Sequence, residues 1–427
     1  MMEDVEILSK WLFGGNTDIL YAIQAADEEE ELEASQSRHA KRPRCHTMSR
    51  NRGYALHTME VIERESPGLF RRMYRLDVTS FNKLLDIIGP HIERNGNAAI
   101  PGINSQMVIP AKTRLAVTLR WLAGGSYHDI CFAYGIAVGS FYADHGVLWG
   151  TIAAINQHLL IDFPSHDPDT LESISQGFAN KYTHGKMHGC VMAVDGWVCR
   201  TRKPFARETP NIMTYRNRKD TWGVVCFAGC DHELRFRMFS AQCCGSTNDS
   251  IAWDLTSVAR TVFKQNLLME PYYAVCDEAL ACTENLLVPY GGRQLGIWKD
   301  SFNYHLSAMR QCIERAFGLL VGRWGILWRP LLVAIDRWPS VIHACAKLHN
   351  FCIDNNITAV ETYHEDYQNG DCTMGFLTRY NTDEVNGDRR TLGNNAHDAS
   401  FKRTAITNYL QSQDCIRPVR TAVNSRS

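Results

Sequence analysis

The chain of 427 residues contains no apolar stretch that approaches the length of a membrane-spanning helix. Its opening residues, Met1-Met-Glu-Asp-Val-Glu6, are too acidic for a secretory signal, so an intracellular protein is expected. Glycine-rich phosphate loops and internal repeats are missing, which argues against an ATP-driven motor or a kinase. Net charge is nearly absent, at −1. The 15 cysteines are an odd number scattered through apolar segments, as at Cys226, Cys276 and Cys312. That pattern excludes a disulfide framework and reads as small buried hydrophobes in a reducing compartment. Between Arg120 and Lys181 there is no lysine or arginine at all.

What is present is apolar material for more than one core, at 45% of residues, and a very uneven distribution of charge. The run Asp27-Glu-Glu-Glu-Glu-Leu-Glu33 is expected to be solvated and disordered. The following stretch, Arg38 to Arg52, is basic without an acid, and Lys41-Arg-Pro-Arg44 within it fits a nuclear import signal or a phosphate-contacting arm.

The middle of the chain alternates strand-like and helix-like segments. Cys190-Val-Met-Ala-Val-Asp195-Gly196 reads as a buried strand ended by a turn, with Asp195 at its tip. Thr221–Gly229 and Leu234–Ser240 read as a hairpin. Gly245-Ser-Thr-Asn-Asp249-Ser250 then opens a crossover helix with an apolar stripe of Ile251, Leu255, Val258 and Val262. Pro271–Asp277 reads as a further strand, placed beside the first by a right-handed crossover. A long helix follows, capped by Asp300 or Ser301, with Leu306, Met309, Ile313, Phe317 and Leu320 facing the sheet and Arg310 and Glu314 off that stripe.

This order brings Asp195, Asp277 and Glu314 to one edge. Carboxylate oxygens suit hard divalent cations, and a pair of such ions clamps the attacking and leaving oxygens of a phosphoryl displacement. The expectation is therefore a two-metal site for Mg²⁺ or Mn²⁺, with Asp195, Asp277 and Glu314 as catalytic ligands and Asp249 as an outer ligand. Each acid also has a structural use: Asp195-Gly196 as a turn, Asp249 and Asp277 as caps, and Arg310 with Glu314 as a helical ion pair. A zinc site at His343, Cys345, His349 and Cys352 lacks a matching second pair, and a buried helix is the expectation there.

Several motifs stand in order from Phe70 to Cys352: Phe70-Arg-Arg-Met-Tyr-Arg-Leu76, Thr113-Arg-Leu-Ala-Val-Thr-Leu-Arg-Trp-Leu-Ala-Gly-Gly125, Ala193-Val-Asp-Gly196, Gly245–Ser250, Cys276-Asp-Glu-Ala279, Leu306–Gly318 and Leu348-His-Asn-Phe-Cys352. Together they resemble the transposases of the PIF/Harbinger superfamily. The resemblance implies an α/β fold in which an RNase H-like catalytic domain, a mixed sheet flanked by helices, follows an all-helical helix-turn-helix-like domain. It implies metal ligation by Asp195, Asp249, Asp277 and Glu314, DNA as substrate, a Myb-like DNA-binding partner and a homodimer. The chain departs from the pattern at Glu278-Ala-Leu280, where relatives carry glycine and tyrosine, and at Val321, where a basic residue is usual; Arg323 is the nearest substitute.

The expected organisation is a charged tail over 1–55, a helical domain over 56–178, the nuclease domain over 179–355 and a polar tail over 356–427 in which Ala405–Leu410 hints at a helix. In the helical part, Lys112–Ala123, a second helix opened by Ser126 and Asp129, and Gly139–Trp149 form the helix-turn-helix pattern. The candidate reading helix has Asp144 and only His145 for a cation, so protein docking is preferred over DNA reading, since duplex affinity comes mainly from neutralised phosphates. DNA contact is expected instead from Arg200, Arg202, Lys203, Arg216, Arg218 and Lys219, with Arg310 and Arg323 flanking the acids.

Overall fold

The computed structural model describes residues 46–93, 108–292, 294–357 and 400–417. The acidic run and the basic Lys41–Arg44 cluster lie outside them. The chain divides into two compact units. One takes the residues up to Leu159 with Arg200–Pro210 and Arg323–Cys345; the other takes Leu160–Cys199, Asn211–Gly322 and the residues from Ala346 onward.

The first unit is helical: α1 (His46–Glu65), α2 (Pro67–Tyr74), α3 (Val78–Ile92), α4 (Ala111–Leu122), α5 (Tyr127–Ala133), α6 (Val138–Tyr142) and α7 (Val147–His158). Asp77 caps α3 by accepting from the Ser80 amide at 2.8 Å. Phe70, Tyr74, Phe81 and Leu115 are fully buried, and the Tyr74 and Tyr134 hydroxyls satisfy each other at 2.6 Å. The expected capping box at α5 does not form: Ser126 is the N-cap without a side-chain bond. The expected third helix is two, α6 and α7, broken around Gly146. A Cβ at Gly146 would stand 2.5 Å from the Ser140 carbonyl, so the chain turns sharply there instead of continuing the helix.

The second unit is built on a sheet of order β3-β2-β1-β4-β5. Its strands are β1 (Cys190–Arg200), β2 (Gly223–Cys230), β3 (Phe236–Cys244), β4 (Tyr273–Val275) and β5 (Leu286–Leu287). β2 and β3 are antiparallel, while β1 with β4 and β4 with β5 are parallel, so the sheet is mixed. Helix α8 (Pro168–Thr183) leads into it, capped by Asp167, whose carboxylate accepts from the Thr170 amide at 3.1 Å.

Between β3 and β4 the crossover is α9 (Asp249–Leu255) followed by a π-helical turn at Ala259–Phe263. The stripe expected there is only partly the buried one. Val262 faces inward, but Ile251 and Leu255 are exposed, and Ala252, Trp253, Ala259 and Phe263 complete the buried side. The cause is the break at Thr256, an extended residue whose hydroxyl accepts from the Ala259 amide and restarts the helix out of phase. The long helix α10 (Ile297–Arg323) buries Leu306, Met309, Ile313, Phe317 and Leu320 as its periodicity requires. It begins ahead of the expected caps: Ser301 is buried inside it and its hydroxyl accepts from the Arg417 amide.

Helix α11 (Trp338–Asp354) pairs with backbone groups at the start of the outer strand. Its Asn350 side chain both accepts from the Phe236 amide and donates to the Phe236 carbonyl, each at 2.8 Å, as a neighbouring strand would. His349 bonds the Leu234 carbonyl at 2.8 Å. Cys345 and Cys352 are fully buried, and among the described residues no three His, Cys, Asp or Glu side chains stand close enough to hold a metal ion. None of the thirteen described cysteines forms a disulfide, and the eleven that are buried serve as core side chains.

The polar C-terminal stretch contributes α12 (Phe401–Ser412), capped by Ser400, with Leu410 fully buried. The Glu284 carboxylate accepts from the Phe401 and Lys402 amides, and the Lys402 ammonium donates to the Tyr272 carbonyl at 2.9 Å, immediately before β4.

Candidate active site

The parallel pairing of β1 and β4 sets the first two acids. The last paired positions are Ala193 with Val275, and two residues further along both segments come Asp195 and Asp277. Asp195 is not at a strand tip as expected. β1 continues through Gly196 to Arg200, and the acid sits where its partner strand ends. Asp277 forms a tight turn just past β4, its carboxylate accepting from the Ala279 amide at 3.0 Å.

Glu314 arrives from α10, one turn after Arg310. The Arg310 guanidinium joins the two elements: Nη1 donates to Asp195 Oδ2 at 2.6 Å and Nη2 lies 2.9 Å from Glu314 Oε1. The helical ion pair foreseen between Arg310 and Glu314 is therefore present, and the same arginine also takes the acid of β1. Burial pushes the Asp195 carboxyl up to about 7; Arg310 and the Gly196 amide oppose this, while Asp277 and Glu314 add to it. Burial works against the charge on Arg310, but Asp195, Glu314 and Asp277 together hold its proton more firmly than usual. Like charges have thus been gathered, and one cation stands among them.

Asp249 reaches the same strand. The cap of α9 is Asn248, whose side chain accepts from the Ile251 amide at 3.0 Å, so capping does not occupy the acid beside it. Its carboxylate lies against Gly196: a Cβ on that glycine would stand 2.4 Å from Asp249 Oδ1. Gly196, which sequence reading takes for a turn residue, is in strand and leaves room for an acid. Asp249 thus stands beside the Asp195–Gly196 step, and Asp277 and Glu314 act electrostatically on Asp195, although among the described residues no three of these carboxylates stand close enough together to hold a metal ion. All are hard oxygen donors, a set suited to Mg²⁺ or Mn²⁺.

The basic residues separate into groups. In the sheet unit, Asn211–Trp222 forms a projecting loop with a 3₁₀ turn at Ile212–Tyr215 and a bridge between Arg216 and Trp222. Asn217 folds its tip by accepting from the Lys219 and Thr221 amides. Arg216, Arg218 and Lys219 are exposed on it, with Arg216 3.2 Å from Asp220. The Thr214 carbonyl accepts from the Ser246 amide at 2.9 Å, which ties this loop to the turn that delivers Asp249.

In the helical unit, Lys203 is exposed, while Arg200 donates to the Trp328 carbonyl at 2.9 Å. Arg202 is 7% exposed, paired through both terminal nitrogens with Glu208 and set over the Phe205 ring. Arg323 is 6% exposed. Arg202 and Arg323 therefore lie inside the fold and present little charge at a surface, a distinction that composition does not reveal.

Residues 194–350 match a family model described as DDE superfamily endonuclease, a span that begins one residue before Asp195 and ends at Asn350. Neither a curated protein nor a solved structure matches the chain. The mixed sheet flanked by helices fits a nuclease domain of that superfamily. The central region is thus similar to the nuclease domain of that superfamily.

Proposed function

We propose that the chain is a divalent-metal-dependent DNA endonuclease and strand transferase of the PIF/Harbinger type, built on an RNase H-like fold, that cuts transposon ends and joins the freed 3′-hydroxyl to target DNA. The observation that carries this reading is the convergence of Asp195, Asp277 and Glu314, from two parallel strands and a helix, around the Arg310 guanidinium.

Asp195, Asp277 and Glu314 would hold Mg²⁺ or Mn²⁺, with Asp249 as a further ligand beside Gly196. When bound, such ions activate the attacking oxygen and stabilise the leaving one. The protein's share is positioning. The β1–β4 register fixes two carboxylates, the buried stripe of α10 fixes the third, and the Asn211–Trp222 loop offers cations to the phosphate backbone. Asp195 would ligate as the carboxylate, so its raised proton affinity would set ion binding against protonation near neutral pH.

A Myb-like partner would supply sequence reading, since α6 and α7 carry no lysine or arginine. Action would be nuclear, directed by Lys41–Arg44, and transposition chemistry would use a dimer. The competing reading is a chromatin or partner-binding module that keeps the acids without using them, or a nuclease that cuts without joining. The test is Mn²⁺-supported nicking of duplexes bearing element ends, with wild type beside Asp277→Ala and Glu314→Ala. Loss in both folded variants supports the nuclease; a wild type inert with a Myb-like partner present supports the binding module.

A further inference from the structure

One guanidinium spans two acids that come from different elements. Arg310 reaches across from α10 to Asp195 on β1 with one nitrogen and back to Glu314 on its own helix with the other. The three side chains are largely sheltered, at 25%, 19% and 29% exposure, so water screens this arrangement only in part. Asp277 is the third acid of the group, and it too acts electrostatically on both Asp195 and Arg310. Without the guanidinium between them, the carboxylates of Asp195 and Glu314 would repel each other.

We infer that Arg310 is the site's resident cation: a positioning residue that holds Asp195 and Glu314 together and competes with divalent ions for them. This rests on the metal-nuclease reading above and adds to it a competition inside the protein. A guanidinium does not leave by losing its proton, so it must leave as a side chain, rotating off the two carboxylates. Ion binding and Arg310 release are then two faces of one equilibrium, and each weakens the other by the same factor. The arginine keeps the acids assembled before the ion arrives, and it lowers the affinity with which the ion is taken.

The experiment is Mn²⁺ binding to the full chain, followed by the electron paramagnetic resonance of free Mn²⁺, together with thermal unfolding with and without the ion. Wild type is compared with Arg310→Gln, Arg310→Lys and Asp277→Asn. Arg310→Gln is expected to bind Mn²⁺ about tenfold more tightly, the loss of two partly sheltered ion pairs as competitors. It is also expected to melt lower without the ion and to gain more melting temperature when the ion is added. Arg310→Lys keeps the charge but cannot fork across two carboxylates, and it falls between the two; it carries the test if the glutamine variant does not fold.

Equal or weaker binding by the Arg310 variants, with Asp277→Asn abolishing binding, would overturn the inference and leave the metal site standing. No Mn²⁺ binding by wild type would overturn both.

Discussion

The Asp249 carboxylate lies in the space that a side chain at Gly196 would fill, with a Cβ there standing 2.4 Å from Oδ1. The one position of β1 without a side chain is where the crossover helix brings its acid against that strand. Gly196→Ala should push Asp249 away while leaving the buried residues of β1 untouched. Expected is a loss of Mn²⁺ affinity of roughly tenfold or more, the usual cost of disturbing the support of a ligand set, with far-ultraviolet circular dichroism unchanged. Unaltered affinity would show that Asp249 takes no part in ion binding.

The Asn350 amide stands in for a missing strand. It occupies both the amide and the carbonyl of Phe236, and all of these groups are buried. Asn350→Ala would orphan two buried backbone groups at once, and the expected destabilisation is about 2–4 kcal/mol. Urea unfolding measures it, and hydrogen exchange should show the loss concentrated in β3.

His305 lies in α10 at 1% exposure, and neither ring nitrogen has a hydrogen-bond partner among the described residues. Burial, with the positive charges of Lys186 and His184, lowers its proton affinity from the ordinary 6.5 to about 4. A depressed folded value means that the unfolded chain takes the proton first. The stabilisation is therefore complete above about 6.5 and is lost as pH falls toward 4. Between pH 7 and pH 5, wild type should lose about 2 kcal/mol relative to His305→Phe, measured by urea unfolding at both values. Parallel pH profiles for the two proteins would refute this.

The exposed cations of the Asn211–Trp222 loop and the sheltered Arg202 should behave in opposite ways. Replacing Arg216, Arg218 and Lys219 by alanine is expected to weaken DNA binding and reduce the slope of log affinity against log salt by about 2–3, near 0.9 for each phosphate no longer neutralised. Arg202→Ala should leave that slope unchanged and instead lower stability, because it strands the Glu208 carboxylate at 12% exposure. Fluorescence anisotropy at several salt concentrations separates the two.

The parts of the site that were legible in the sequence are those set by periodicity over a long element. The α10 stripe placed Glu314 correctly because five apolar positions fix one helical face. The apolar runs ending at Asp195 and Asp277 identified neighbouring strands because parallel strands in a buried sheet are apolar throughout. The extension of β1 past Asp195 was hidden because Asp-Gly is a turn signal unless something packs against the glycine, and Asp249 is far away in sequence. The broken crossover helix was hidden for a related reason: Ile251 and Leu255 imitate a stripe, and only the Thr256 break shows that Ala252 and Trp253 face inward. Two-residue β5 is too short for any period to reveal. Arg310 was visible as the partner of Glu314, but its second bond runs to a residue 115 positions earlier, which no local pattern encodes.

The clamp of α12 on the segment entering β4 has a consequence for how the protein is made. Lys402 and the Glu284 cap link the start of the Asp277 strand to a helix translated more than a hundred residues later. On the ribosome the first acid, the third acid and the sheet's hairpin all emerge while the Asp277 strand still lacks this tie. The Asp277 strand of the nascent chain therefore lacks this tie until residues 400–412 clear the exit tunnel.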